Sequence, residues 1–277
     1  VERMKFSAIL IFTSIWFAFS YLPIWHMAWG GGLFHGGEEG NWLMSKGQDA
    51  IDFAGGTVVH INAGVAALVG CLCLRKRKKV SQPHNVPFVL IGASLLWVGW
   101  FGFNAGSAGG SNDGAGMAML VTQIATAVAA FSWMLVEWCV KGKATAVGIA
   151  TGAVAGLVAI TPASGNVGPL GAIIIGIGAG VICYFAATKM KSKLGYDDSL
   201  DVFGVHGVGG IVGCVFVGFC AYPELQGFGD HLTAGDKGTP IPVATQTMIQ
   251  LKSCILTVVW SAVVAFVAIK IAKVLCG

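Results

Sequence analysis

Long apolar runs separated by short polar interruptions set the pattern of this chain. Eight stretches, lettered A to H in chain order, carry no charge or almost none: Phe6–Trp29, Phe53–Leu74, Val86–Gly106, Ala115–Val136, Ala144–Ala163, Val167–Thr188, Val202–Tyr222 and Val243–Ile269. Each is close to or above the ~20 apolar residues that a helix needs to cross a bilayer core. A transmembrane β-barrel would show alternating segments of roughly ten residues, whereas these runs are continuous and rich in Gly and Ala. The predicted fold class is therefore an all-α polytopic membrane protein with eight transmembrane helices.

Charge between the runs predicts orientation, because Lys and Arg concentrate in loops that stay cytoplasmic. Arg3 and Lys5 precede span A, Arg75, Lys76, Arg77, Lys78 and Lys79 join B to C, and Lys141 and Lys143 join D to E. Lys189, Lys191 and Lys193 join F to G, and Lys270 and Lys273 follow the apolar part of H. The alternate connections hold Lys46 and Lys237 beside Glu38, Glu39, Asp49, Asp113, Glu224, Asp230 and Asp236. Both ends of the chain are expected in the cytoplasm, with the protein multi-pass in the plasma (cell inner) membrane. Lys252, near the start of H, breaks the pattern, and is expected to snorkel outward or to face a partner helix.

Composition agrees: of 277 residues 55% are hydrophobic and 11% charged, against about 25% charged in soluble domains. The net charge of +4 is accounted for by topology, which argues against nucleic acid as a partner. The Arg75 to Lys79 run reads as a stop-transfer signal that could also touch anionic lipid. None of the eight cysteines has zinc-site spacing, so they read as buried packing residues. No metal site and no cofactor is expected, and no phosphate-binding or dinucleotide motif is present. There is no signal-peptide pattern, and a start at Val1, Glu2 and Arg3 reads as the middle of something longer.

Two segments resemble each other. Asp52 to Gly70 reads DFAGGTVVHINAGVAALVG and Asp198 to Gly213 reads DSLDVFGVHGVGGIVG; in each an Asp lies eight residues before a His, and small residues follow the His at three and four positions. Spans B and G run in opposite senses, as an inverted repeat requires. Eight residues from a capping Asp place each imidazole ~12 Å deep, near the middle of a core ~30 Å thick. His60 and His206 are thus expected to be deeply buried, each on a helix face of minimal bulk. One reading makes them only an interhelical hydrogen-bond fixture; the other makes them a pathway or relay, the default for ionisable groups inside membranes. Burial disfavours imidazolium, so the expected pair is neutral, a surface suited to a small neutral polar molecule.

The segments DFAGGTVVHIN (Asp52 to Asn62), WFGFNAGSAG (Trp100 to Gly109) and DVFGVHGVGGIVG (Asp201 to Gly213), with supporting pieces at Trp16, Pro83 to Trp100 and Gly156 to Gly165, resemble the Amt/MEP ammonium transporter family over essentially the whole chain. That resemblance implies an eleven-span inverted-repeat fold assembled as a homotrimer with one pore per subunit. The chain then looks like spans four to eleven, a single N-terminally truncated domain: residues 1–85 the remainder of the first repeat, 86–222 a complete second repeat, and 243–273 the last oblique helix. The implied activity is transport rather than catalysis. Ammonium is recruited at an outer vestibule matched by Trp16 and Ser107 and gives up its proton, and ammonia passes the gate Phe103 and the pore histidines His60 and His206, with a possible proton relay. Asp52 matches an acidic residue near the vestibule with a structural and electrostatic role. A PII-type signal protein is an implied partner. The alternatives are an ammonium sensor of the same fold and a bis-histidine haem protein.

Overall fold

The computed structural model describes residues 3–74, 76–77, 83–227, 233–234 and 239–276. The charge pattern at Arg75, Lys78, Lys79, Asp230, Asp236 and Lys237, and the start at Val1 and Glu2, fall outside these residues. Among them the chain forms eight helices: α1 Phe6–Trp29, α2 Gly56–Leu74, α3 Val86–Gly106, α4 Asp113–Lys141, α5 Ala146–Ile160, α6 Pro169–Leu194, α7 Phe203–Cys220 and α8 Val243–Cys276. A two-strand antiparallel ribbon, Thr233–Ala234 with Thr239–Pro240, interrupts the connection from α7 to α8.

Seven of these helices are long and apolar enough to cross a membrane. The fold is that of a multi-pass membrane protein. Helix boundaries follow local chemistry: the side chains of Asn85, Asn112 and Thr145 accept hydrogen bonds from the first turns of α3, α4 and α5, a common N-cap device. Gly142 and Gly195, at φ of 76° and 67°, close α4 and α6 in the left-handed conformation that suits glycine.

Span E departs from expectation. Its regular helix stops at Ile160, and Thr161 to Asn166 form successive turns. This irregular backbone is tolerated because it is enclosed in protein rather than facing lipid; Thr161 and Ser164 are wholly buried, and Phe53 donates its N–H to Pro162 O at 3.0 Å. Helix α5 is the centre of the molecule. Its glycines admit α4 closely: a Cβ on Gly156 would stand 2.6 Å from Ala125 O, and one on Gly152 2.5 Å from the Trp133 Cβ. Small residues take this role in membranes because close backbone approach replaces the missing hydrophobic drive between helices.

The periphery is the reverse. In α3 the buried residues are Trp100 and Asn104, and Phe88, Leu95 and Val98 project outward. Helix α8, with 34 residues, is about 50 Å long at 1.5 Å per residue. It lies across α1, α2 and α7. Lys252 near its start donates to Leu43 O at 3.0 Å, which explains the charge that broke the alternation: its head meets a loop carbonyl.

The basic clusters meet at one end of the bundle. Asp197, between α6 and α7, receives Arg77 at 2.7 Å and Arg3 at 3.3 Å. Lys5, before α1, donates to Cys276 O at the end of α8 at 2.7 Å. At the opposite end Gln250 of α8 donates to Ile51 O and accepts from Ile51 N, both at 2.7 Å, and Trp29 donates to Asp52 O.

Candidate functional site

The site forms where α2 and α7 cross. Gly64, four residues after His60, has no space for a side chain: a Cβ there would overlap the backbone N and Cα of Gly207. Gly210, four residues after His206, is packed in the matching manner, with an added Cβ 3.1 Å from that of His60. Each helix therefore uses the glycine one turn beyond its own histidine to seat the neighbourhood of the other.

At this crossing the Nδ1 atoms of His60 and His206 stand 3.2 Å apart. A hydrogen bond between two Nδ1 atoms requires one to carry a proton and the other a lone pair. Both histidines lie in wide, π-helical turns, Gly56–Ile61 and Phe203–Gly207; the His60 N–H reaches back five residues to Gly55 O at 3.1 Å. Such turns re-aim side chains and recur at functional sites. The facing nitrogens leave no room for an iron and its macrocycle between the rings, so a bis-histidine haem does not fit.

The two histidines differ in cover. His60 is 3% exposed and its Nε2 has no hydrogen-bond partner among the described residues. The Trp100 ring stacks on it at 5.2 Å and Phe103 tilts over it at 6.0 Å. His206 is only partly buried, contrary to the expectation that both are deep. The physical reason is that α3 roofs His60, whereas the ring contact of His206 among the described residues is His60 itself.

Ser107 lies one turn beyond Phe103, at the end of α3, and its Oγ donates to Phe103 O at 2.9 Å. Its lone pairs remain available as acceptors. Asp52 is 7% exposed and caps α2 with both oxygens. Oδ1 accepts from Gly55 N at 3.0 Å and Gly56 N at 2.5 Å; Oδ2 accepts from Thr57 N at 2.8 Å, Val58 N at 3.3 Å and the Thr57 hydroxyl. Burial raises this carboxyl above the usual range, and those donors pull it back.

Trp16 is not at this mouth, and its expected pairing with Ser107 is corrected. Its indole lines a cleft of about 360 Å³ with Arg3, Cys71, Leu74 and Asp198, towards the basic end. The indole at the Asp52 end is that of Trp29: its Nε1 donates to Asp52 O at 2.7 Å and its ring edge lies against Gly55. Thirteen residues separate the two tryptophans, about 20 Å along a helix, so a mid-helix ring cannot serve the helix end. Trp29, which directly precedes three glycines, and Trp100, three residues before Phe103 on the same face, were legible in position but not in role.

The family model described as Ammonium Transporter Family matches residues 1–277. The chain belongs to the ammonium transporter family. It is 49% identical, over its whole length and 61% of the relative, to an ammonium transporter of Aquifex aeolicus. It is 52% identical over 80% of its length, and 47% of the relative, to an ammonium transporter of Mycobacterium bovis. Among solved structures it resembles Candida albicans Mep2 with a TM-score of 0.80 and 36% identity, covering 96% of this chain and 57% of that one. The chain thus spans about half to three-fifths of the length of these family members.

Proposed function

We propose that this chain forms part of an ammonium transporter whose conduction path runs past His60 and His206. The observation that carries the reading is the Nδ1 to Nδ1 contact at 3.2 Å at the crossing of two small-residue helices, in a chain of this family. The path begins at the acidic end, taken as outside the cell. There the Trp29 ring face attracts a cation by its quadrupole, the Ser107 oxygen accepts an ammonium hydrogen, and Asp52 contributes negative potential without offering a free oxygen.

Phe103 and Trp100 cover His60 from that side and exclude hydrated ions, so the proton is given up before the crossing and ammonia passes the rings. The linked imidazoles supply one donor and one acceptor, the minimum that a proton relay needs. A bare alkali ion finds no replacement for its water shell here, which makes dehydration costly. The matched seating of Gly64 and Gly210 supports two inverted halves, 1–85 as the remainder of the first and 86–222 as the second, with the last helix outside both. Homotrimeric assembly, cytoplasmic chain ends, a plasma-membrane location and a PII-type partner complete the proposal and rest on family membership and charge pattern.

The test uses the protein expressed from its complete gene, reconstituted in lipid vesicles, with transport followed as a function of ammonium concentration. Trp29→Leu should raise the half-saturating concentration about threefold or more, the loss of a cation–π contact of ~0.5–1 kcal/mol, while Trp16→Leu should leave it within twofold. The reverse ranking would sink the vestibule, and binding without any transport would favour the sensor reading.

A further inference from the structure

Three wholly buried polar side chains meet two residues after His60: Asn62 of α2, Ser20 of α1 and Ser261 of α8. The Ser20 hydroxyl donates to Asn62 Oδ1 and the Ser261 hydroxyl to Asn62 O, both at 2.7 Å. Asn62 Nδ2 donates to Val58 O, one turn back along its own helix, at 3.2 Å. One asparagine thus joins three helices, as polar side chains can inside a membrane.

The backbone explains why an amide stands there. The Asn62 N–H goes to Thr57 O and Val59 O, on either side of Val58 O, which is its partner in a regular α-helix. The side chain of the same residue then takes the place that its N–H left, as a buried carbonyl requires. The neighbouring wide turn of α1, Phe17–Tyr21, is served in a similar way. Pro23, four residues after Phe19, has no N–H to give, and the indole of Trp260 on α8 donates to Phe19 O at 2.9 Å.

The second histidine lacks this device. In its wide turn the Val208 N–H goes to Phe203 O and Val205 O, and Val208, two residues after His206, has no side-chain donor. Close backbone packing holds that turn instead, with Gly204 against Ala187 and Gly207 against Gly64. The two rings are aimed by different means.

We propose that Asn62 is a positioning residue for His60: it holds the wide turn that aims His60 Nδ1 at His206 Nδ1, a contact whose role in transport rests on the conduction path proposed above. Relaxation of Gly56–Ile61 to a regular helix would remove one residue of winding, about 100° of rotation, and carry the ring away from the 3.2 Å contact. Asn62 acts through the backbone and not on the transported molecule.

The test is nitrogen–nitrogen correlation by solid-state NMR on the protein from its complete gene, labelled at histidine nitrogen and reconstituted in lipid. The unaltered protein should show a cross-peak between the two Nδ1 atoms, assigned by its absence in His206→Leu. Asn62→Leu, close in volume but without the amide, should lose the cross-peak. Ser20→Ala, which removes one donor to that amide, should weaken it. Thr126→Val, which deletes a buried hydrogen bond of α4 to Thr122 O, should leave it intact.

A full cross-peak in Asn62→Leu would overturn the proposal, as would its absence from the unaltered protein. An equal loss in Thr126→Val would mean general loosening and would overturn it too. Should Asn62→Leu fail to fold, an undiminished cross-peak in Ser20→Ala decides against the proposal. Loss of the cross-peak in Asn62→Leu with an unchanged ammonium-evoked current would uphold the positioning role and overturn instead the conduction path through the pair.

Discussion

The two helices that carry the histidines begin with the same device built in two ways. At the start of α2, Asp52 is surrounded by backbone N–H groups and one hydroxyl, with no cation in contact among the described residues. At the start of α7, Asp198 accepts from Phe203 N at 2.8 Å, and Asp201, held at φ 54°, pairs with Lys191. Burial raises the carboxyls of Asp52 and Asp201 alike, opposed by peptide dipoles at one and by an ammonium at the other. Next to this second entrance, Asp197 is occupied by two arginines.

The difference bears on direction. Backbone donors stabilise a carboxylate but carry no net charge, so the Asp52 end keeps a negative potential, of the sign that favours a cation. At the other end, side-chain cations meet the carboxylates of Asp197 and Asp201. Under the proposed transport reading, the first entrance collects cations and the second does not compete for them.

Asp52→Ala should break this comparison most severely. It strips the acceptor from four buried N–H groups at once, and unpaired buried donors cost about 1–3 kcal/mol each before the backbone relaxes. A loss of about 2–4 kcal/mol is expected, visible as a drop in the detergent unfolding midpoint, together with weakened ammonium uptake. Asp52→Asn keeps one oxygen and should fall between. Asp198→Ala removes a single cap contact, so a loss near ~1 kcal/mol is expected. Equal effects at Asp52 and Asp198 would show that the two caps do equivalent structural work.

The smallest effect concerns pH. Hydrogen bonds from Arg77, with the charges of Arg77 and Arg3, hold the Asp197 carboxyl down at about 2. A depressed acid contributes stability that is present above its unfolded value, roughly 3.9, and is lost as pH falls towards 2. Hydrogen exchange of residues 195–201 should therefore quicken between about pH 4 and pH 2, and Arg77→Gln should move that change upward. Exchange that is flat over the same range would remove Asp197 from the account.

Much of this architecture was legible in the chain because a bilayer restricts the choices. Spans A and C matched α1 and α3 to the residue, since apolar length and flanking Pro or Gly fix both ends. Span E overran because composition cannot distinguish a helix from buried turns that are equally rich in Gly, Ala and Pro. The histidines announced themselves through spacing from an aspartate and through neighbouring glycines. Their wide helical turns did not, since nothing in GTVVHI or FGVHG marks an extra residue in the turn.

Trp16 misled because a tryptophan within an apolar run says nothing about depth, and depth separates it from Trp29. The partial exposure of His206 depends on which rings α3 lays over the crossing, a tertiary fact without local signature. Lys252 was noticed as a misfit, but its carbonyl partner belongs to a loop some two hundred residues earlier.

Ammonium-evoked current on a solid-supported membrane tests the central claim most directly, using the protein from its complete gene beside His60→Leu with His206→Leu. The account predicts a transient current from the unaltered protein and its loss in the double variant, at matched protein amount and with unfolding midpoints that agree. A current of the same size from the double variant would contradict a proton path through the two imidazoles.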